Sequence, residues 1–324
     1  MQYVGLHTQQ VRNNFRSALL LCMFPCLVIL LTFLFSFLLV FFASENKENV
    51  DVWGQSIMMI RQWAPFILFG VAVWFVIAYF SNTSIIRSAT GARPLERKEN
   101  KRVYNLVENL CMSQGMHIPQ INLIEDDSLN AFASGIDKRT YTVSLSRGII
   151  DKLDDDELEA VIAHELSHIR NNDVRLLIVS IVFVGIFAML AHIAVNALRF
   201  TPMRSRGNNK NGGGIIVVIL IALIVAGIGY FFASLMRFAI SRNREYLADA
   251  GSAEMTRKPQ ALANALRKIS QDPYIEAVTR SDVAQLFIEH PERKGKSEQF
   301  FSGISGLFDT HPPIEKRIAI LEQF

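Results

Sequence analysis

Cysteine is scarce in this chain, and charge is missing from long parts of it. Only 3 of the 324 residues are cysteine. Cys22 and Cys26 fall inside one apolar stretch, where they act as small hydrophobes, and Cys111 stands alone outside it. No disulfide framework can be drawn from that set, and nothing implies an oxidising compartment. Asp, Glu, Lys and Arg are absent from four stretches: Ser17 to Ser44 (28 residues), Gln62 to Ile86 (25), Leu176 to Leu198 (23) and Asn211 to Met236 (26). About twenty uncharged, mostly apolar residues match the thickness of a bilayer core, so these gaps exclude an ordinary soluble domain. All 63 charged residues fall in the other 222 positions, a density of 28% that is normal for soluble protein. The overall 50% hydrophobic content and net charge of +3 therefore average two different materials. The basic surplus is mostly a topological signal, and gives no reason to expect a nucleic-acid partner.

The gaps divide the chain into an N-terminal transmembrane hairpin (1–86), a soluble segment (87–173), a second hairpin (174–236) and a soluble tail (237–324). Spans are expected at about 18–43, 63–82, 176–198 and 215–236. Arg12 and Arg16 precede the first span as in a signal peptide, but its uncharged core is too long and no small-x-small cleavage pattern follows, so a retained anchor is expected. With two spans between them, the soluble segments share one side. That side holds thirteen Lys and Arg close to the spans and the opposite side six, which makes the soluble parts cytoplasmic in a multi-pass integral membrane protein. The basic, Gly/Asn-rich loop Arg199 to Gly214 works against full crossing by the second hairpin, which leaves two readings open: a transmembrane hairpin, and one partly embedded or packed beside the soluble domain. Pro25 predicts no more than a kink in the first span.

Within the first soluble segment, Val103, Leu106, Val107 and Leu110 have helical spacing over Lys98 to Cys111. Strand-like runs follow at Gln120 to Ile124 and Tyr141 to Leu145, with Asn130 to Gly135 between them and a hairpin turn over Gly135 to Thr140. Asp154 then caps a helix, with Glu157 three residues on completing a capping box. That helix carries His164-Glu165-Leu-Ser-His168. Residues four apart share a helical face, so both imidazoles can meet one metal ion, and Glu165 beside them can reach a metal-bound water without ligating. This is the His-Glu-x-x-His arrangement of zinc metalloproteases. A surface helix with two unrelated histidines is the competing reading.

A catalytic zinc needs a third protein ligand. After the fourth span, Ser241-Arg-Asn-Arg-Glu245-Tyr-Leu-Ala-Asp249 offers Glu245 as that ligand and Asp249, on the same face, as an acceptor for a ligand histidine. Spacing leaves two alternatives open: a solvated charged helix, and Glu254 as a rival ligand. His7, His117 and His290 have no companions at ligand spacing. His192, inside the third span, is expected as a lone neutral histidine hydrogen-bonded within the hairpin. Asn82-Thr83-Ser84 matches a glycosylation sequon on the expected cytoplasmic side, a chance match.

Taken in order, Asn130-Ala-Phe-Ala-x-Gly135, His164-Glu-Leu-Ser-His168 with Asn-Asn-Asp173, Ser241-Arg-x-x-Glu245-x-x-Ala-Asp249 and Thr310-His-Pro-Pro-x-Glu-x-Arg317 resemble the HtpX-type integral-membrane zinc metalloproteases, relatives of the CaaX-processing prenyl proteases. Gly91-Ala-Arg-Pro94 adds a further match, and the likeness runs from about residue 85 to the end. It implies an α-rich membrane protein carrying an α+β, zincin-like domain. It also implies one zinc per subunit on His164, His168 and Glu245, with Glu165 as general base. Asn130, Ala131, Phe132 and Ala133 would line the substrate cleft. His311 would stand near the metal, able to hydrogen-bond the oxyanion, and Arg317 would pair with Asp249 or another buried carboxylate.

The expected activity is endoproteolysis at the cytoplasmic face, on polypeptides such as loops or unfolded segments of membrane proteins, in quality control. The bilayer is the other expected partner, and nothing in the sequence specifies an oligomeric state. An intramembrane protease is disfavoured because Asp154 to Glu159 and Arg170 to Asp173 put charge on both sides of the motif. A scaffold that has lost catalysis is disfavoured by the intact Glu165 and ligand set.

Overall fold

A computed structural model describes residues 6–43, 51–200, 212–238, 242–270 and 312–324. The described chain groups into two compact units. One holds 18–79 and 179–236; the other holds 1–17, 80–178 and 237–324.

The first unit is apolar and helical. Its residues come from α1 (Leu6–Ala43), α2 (Val52–Thr90), α6 (Asp173–Phe200) and α7 (Gly212–Phe238). Among the described residues two helical segments are long and apolar enough to cross a membrane, Cys22–Phe42 and Val52–Ser81, and Ile216–Phe232 is a shorter apolar run. The helix of α2 starts ten residues before its uncharged stretch and carries Arg61. At 1.5 Å per residue, its 39 residues reach about twice the hydrocarbon thickness, so the charge gap marks the apolar part of the helix and not its ends. Pro25 lies inside α1 without ending it. Hydroxyls within the helices bond back one turn, Thr32 to the Val28 carbonyl at 2.8 Å and Ser56 to the Val52 carbonyl at 2.6 Å, so they present no unsatisfied donor. Phe24 meets Phe187 at a ring separation of 5.7 Å. A Cβ at Gly229 would lie 2.4 Å from the Phe187 ring and 2.9 Å from Leu31, so the missing side chain is what lets these helices approach.

The second unit combines a small mixed sheet with a helical core. In order it contains β1 (Arg93–Pro94), α3 (Lys101–Ser113), β2 (Gln120–Ile124), β3 (Ala131–Ser134), β4 (Thr142–Ser146), α4 (Arg147–Lys152), α5 (Asp155–Arg170), α8 (Arg242–Thr256), α9 (Pro259–Ile269) and α10 (Ile314–Leu321). Strand order is β1-β2-β4-β3. β2 runs parallel to β4 with Gln120 opposite Thr142, and β3 returns antiparallel to β4 with Ala131 opposite Leu145. The hairpin turn falls at Gly135 to Thr140, where Asp137 Oδ1 accepts from the Arg139 and Thr140 amides. Gly135 has φ 111, and a Cβ there would lie 2.3 Å from the Thr140 carbonyl oxygen. The turn pairs β3 with β4, and β3 stands at the edge of the sheet.

α3 starts at Asn100, whose side chain accepts from the Val103 amide, and buries Val103, Val107, Leu110 and Cys111. α5 is the central helix, buried on nearly every face from Glu157 to Ile169. Its partner α8 approaches closely because both present small residues. Ser252 Oγ donates to the Ala160 carbonyl at 2.6 Å, and a Cβ on Gly251 would lie 2.5 Å from Ser167 Oγ. α9 buries Leu262, Ala263, Ala265, Leu266 and Ile269, and α10 buries Arg317 and Leu321.

Candidate metal centre

α5 is held at both ends. Asp154 accepts from the Glu157 amide at 2.9 Å and Glu157 Oε2 accepts from the Asp154 amide at 3.1 Å, the reciprocal pair expected from the sequence. The helix ends at Asn171, and Asn172 takes φ 59, a left-handed conformation that asparagine tolerates better than most residues.

One turn apart on α5, His164 and His168 bring their Nε2 atoms to 3.2 Å, with ring planes at 90°. Glu245, in the first turn of α8, places Oε2 3.6 Å from His164 Nε2 and Oε1 3.6 Å from His168 Nε2. Zinc bonds of about 2.0–2.2 Å in a tetrahedron put ligand atoms about 3.3–3.5 Å apart. The two 3.6 Å distances run to different oxygens of Glu245, and one ligand atom from each of the three residues lies within 4.8 Å of the others, close enough for one metal ion to join them. Two imidazole lone pairs converging on a carboxylate in a buried site need a cation or a shared proton between them, and this donor set suits zinc.

Each histidine is backed by a carboxylate. His164 Nδ1 lies 3.0 Å from Asp249 Oδ1, and Asp249 is gripped by Arg317, Nε to Oδ2 at 2.9 Å and Nη2 to Oδ1 at 2.7 Å. Arg317 is only 1% exposed and also reaches within 3.7 Å of Glu245 Oε2. Burial alone would push the His164 imidazole down, but Asp249 and Glu245 outweigh it and raise its pKa to about 9 in the metal-free protein. Burial would raise the Asp249 carboxyl, yet Arg317 and His164 hold it below the usual range. On the other side, His168 Nδ1 lies 3.2 Å from Asp173 Oδ2.

Glu165 is buried beside the ligands at 2% exposure. Burial is the main cause of its raised pKa, Glu245 adds to it, and the two histidines and the Ala133 backbone N–H pull it down. That amide comes from the edge strand. The Ser146 amide donates to the Asn130 carbonyl at 3.0 Å, so by antiparallel alternation Phe132 and Ser134 face β4 while the main-chain groups of Ala131 and Ala133 face the outer edge. Asn130 Oδ1 accepts from the Ala131 amide at 2.9 Å.

The expected site residues thus meet, with exceptions. His311 lies outside the described residues. Glu254, the rival ligand, pairs with Arg170 at 3.0 Å, is 61% exposed, and stands apart from the cluster. His192 is exposed on α6. Sequence reasoning gave no role to Asp173 or Arg244. The signal available for Asp173 was an acidic residue directly after a double asparagine, a pair suited to ending a helix just beyond the second histidine.

A crystal structure of S. mikatae Ste24p overlays with a TM-score of 0.45 at 18% identity, covering 79% of this chain and 57% of that one. The model of peptidase family M48 matches residues 97–324. The protease HtpX homolog of Dictyoglomus thermophilum is 39% identical over 77% of this chain and 80% of its own length. The protease HtpX homolog of Bacteroides fragilis is 66% identical over the full length of both proteins. A family match over residues 97–324, with two thirds identity to a relative from end to end, means that the chain belongs to peptidase family M48 and is a metalloprotease of the HtpX type.

Proposed function

We propose that this protein is a multi-pass membrane zinc endopeptidase that cleaves polypeptides at the cytoplasmic face of the membrane, in quality control of misfolded membrane proteins. The observation that carries the chemistry is the cluster of His164, His168 and Glu245, in which one ligand atom from each residue lies within 4.8 Å of the others. One zinc held there supplies Lewis acidity to a water and to the scissile carbonyl. Glu165 takes the water's proton on its carboxylate and delivers it to the leaving amine, and burial, which raises its pKa, makes the carboxylate a stronger base than an exposed one. Asp249 and Asp173 orient the imidazoles through Nδ1, Arg317 holds Asp249 in place, and His311 stabilises the oxyanion. Substrate lies extended over Asn130, Ala131, Phe132 and Ala133 and adds a strand to the outer edge of β3, beside Glu165.

The same reading assigns a zincin-like domain built from 87–173 and 237–324, supported by the grouping of those segments into one unit. Hairpins at 1–86 and 174–236 flank it. Two candidate spans in the first hairpin and the thirteen-to-six distribution of Lys and Arg support the orientation.

The test is cleavage of an unfolded polypeptide by the full-length protein in detergent. Wild type is expected to cleave, to stop on chelation and to resume when zinc is returned. Glu165→Gln is expected to hold about one zinc per chain while losing at least about 10³-fold in rate. Cleavage by that variant at the wild-type rate would refute the role given to Glu165.

A further inference from the structure

The proposed ligands come from opposite ends of the inserted hairpin, His164 and His168 before it and Glu245 after it. Something must keep the two ends in register while the hairpin departs. His168 is the least packed of the three, with 15% of its side chain exposed against 1% for His164 and 8% for Glu245. Packing therefore does least to fix its ring. Its Nδ1 faces Asp173 Oδ2 at 3.2 Å, and the Asp173 side chain is only 4% exposed.

Asp173 reaches that position only because α5 stops. On a continuous helix a residue five positions on lies about 140° around the axis, facing away. The left-handed Asn172 turns the chain, and Asp173 starts α6 beneath His168. Its main chain is gripped as well: Arg244 Nη1 donates to the Asp173 carbonyl at 3.1 Å. Arg244 is 8% exposed and immediately precedes Glu245. A single residue thus touches one ligand through its side chain and the neighbour of another through its backbone.

We infer that Asp173 is a positioning residue for His168, and that the Asp173–Arg244 contact clasps the two feet of the inserted hairpin so that His168 and Glu245 stay at metal-binding distance. This rests on the zinc reading of the site. A helix-starting role for Asp173 is the structural competitor, and serine separates the two. Serine starts a helix as well as aspartate does, but it is too short to reach His168.

The experiment follows release of zinc from full-length protein in detergent into excess chromophoric chelator, alongside thermal unfolding of the metal-free form and the visible spectrum of the cobalt-substituted form. Asp173→Ser is expected to release zinc about 10–100-fold faster than wild type, with a changed cobalt spectrum and unchanged metal-free unfolding. Asp173→Asn, which keeps an acceptor oxygen but not the charge, should fall between. Arg244→Ala should release zinc several-fold faster, and Arg244→Lys, which can still donate to the carbonyl, should largely restore the wild-type rate. Release from both Asp173→Ser and Asp173→Asn within twofold of wild type would overturn the inference and leave the zinc site standing. If Asp173→Ser fails to fold, Asp173→Asn decides by the same criterion. Should wild type and His168→Ala alike bind no zinc, the zinc reading itself fails.

Discussion

His164 and His168 sit one turn apart on one helix, yet their surroundings differ in kind. The His164 side is closed, with Asp249 and Arg317 buried behind the imidazole and α10 packed over them. The His168 side is more open, with 15% of that side chain exposed, Asp173 behind the ring and α6 starting directly beyond. A buried charge that loses its partner cannot be rescued by water, whereas a more exposed group can be rehydrated. Damage on the closed side should therefore appear as lost folding stability, and damage on the more open side as lost metal retention with the fold intact.

The sharpest way to break that distinction is Arg317→Met. It leaves the Asp249 carboxylate buried without its two-point partner and should cost about 3–5 kcal/mol, read by denaturation of the metal-free protein. A loss within about 0.5 kcal/mol would mean that the closed side is not closed. Next in size, Gly251→Val pushes a side chain into Ser167 and wedges α8 from α5, for about 1–3 kcal/mol of stability, with weaker zinc binding because Glu245 moves with α8.

Proton linkage probes the closed side in a third way. His164, raised to about 9 in the metal-free protein, contributes stability that is full below its unfolded value near 6.5 and is lost as pH rises towards 9. Asp249, held low, contributes stability that is lost as pH falls below the ordinary carboxylate range. The melting temperature of metal-free protein should thus fall between pH 6.5 and 9, and Asp249→Asn should flatten that fall. A wild-type melting temperature that is level across the window would contradict the assigned proton. The smallest effect is expected well away from both histidines. Lys268→Ala removes a half-exposed ion pair to Glu157 and should cost about 0.5–1 kcal/mol without changing zinc affinity.

Local features were legible in the residues themselves. Asp154 and Glu157 announce the start of α5 because a capping box is completed within four residues. The hairpin turn at Gly135 and the four-residue step between the histidines are equally local. The ends of α2 were less legible, since a helix continues through charged residues once it leaves the apolar core and the charge gap reports only the solvent around it. Spacing did not separate Glu245 from Glu254, because both lie on α8 and only the approach of α5 selects between them. Asp173 was given no role because its position depends on a left-handed turn at Asn172, and a signal that a helix can stop does not show where the next residue then points.

By itself, the sequence determined where the long uncharged stretches lie, which helix carries the histidines and which residue types are available to the chemistry. Each follows from a short-range rule: hydrophobic length, a 3.6-residue period, or a side chain reaching its own backbone. Only the tertiary structure decided which carboxylate meets the two imidazoles, which aspartates stand behind them and which strand edge lies beside Glu165. Glu245 and Asp249 reach the imidazoles from beyond α6 and α7, as Arg317 reaches Asp249, and the distances of Glu245 and Asp249 depend on how closely α5 and α8 can pack. Small residues such as Gly251 and Ser252 set that approach, because a side chain missing from one helix becomes an interatomic distance only when the other helix is present.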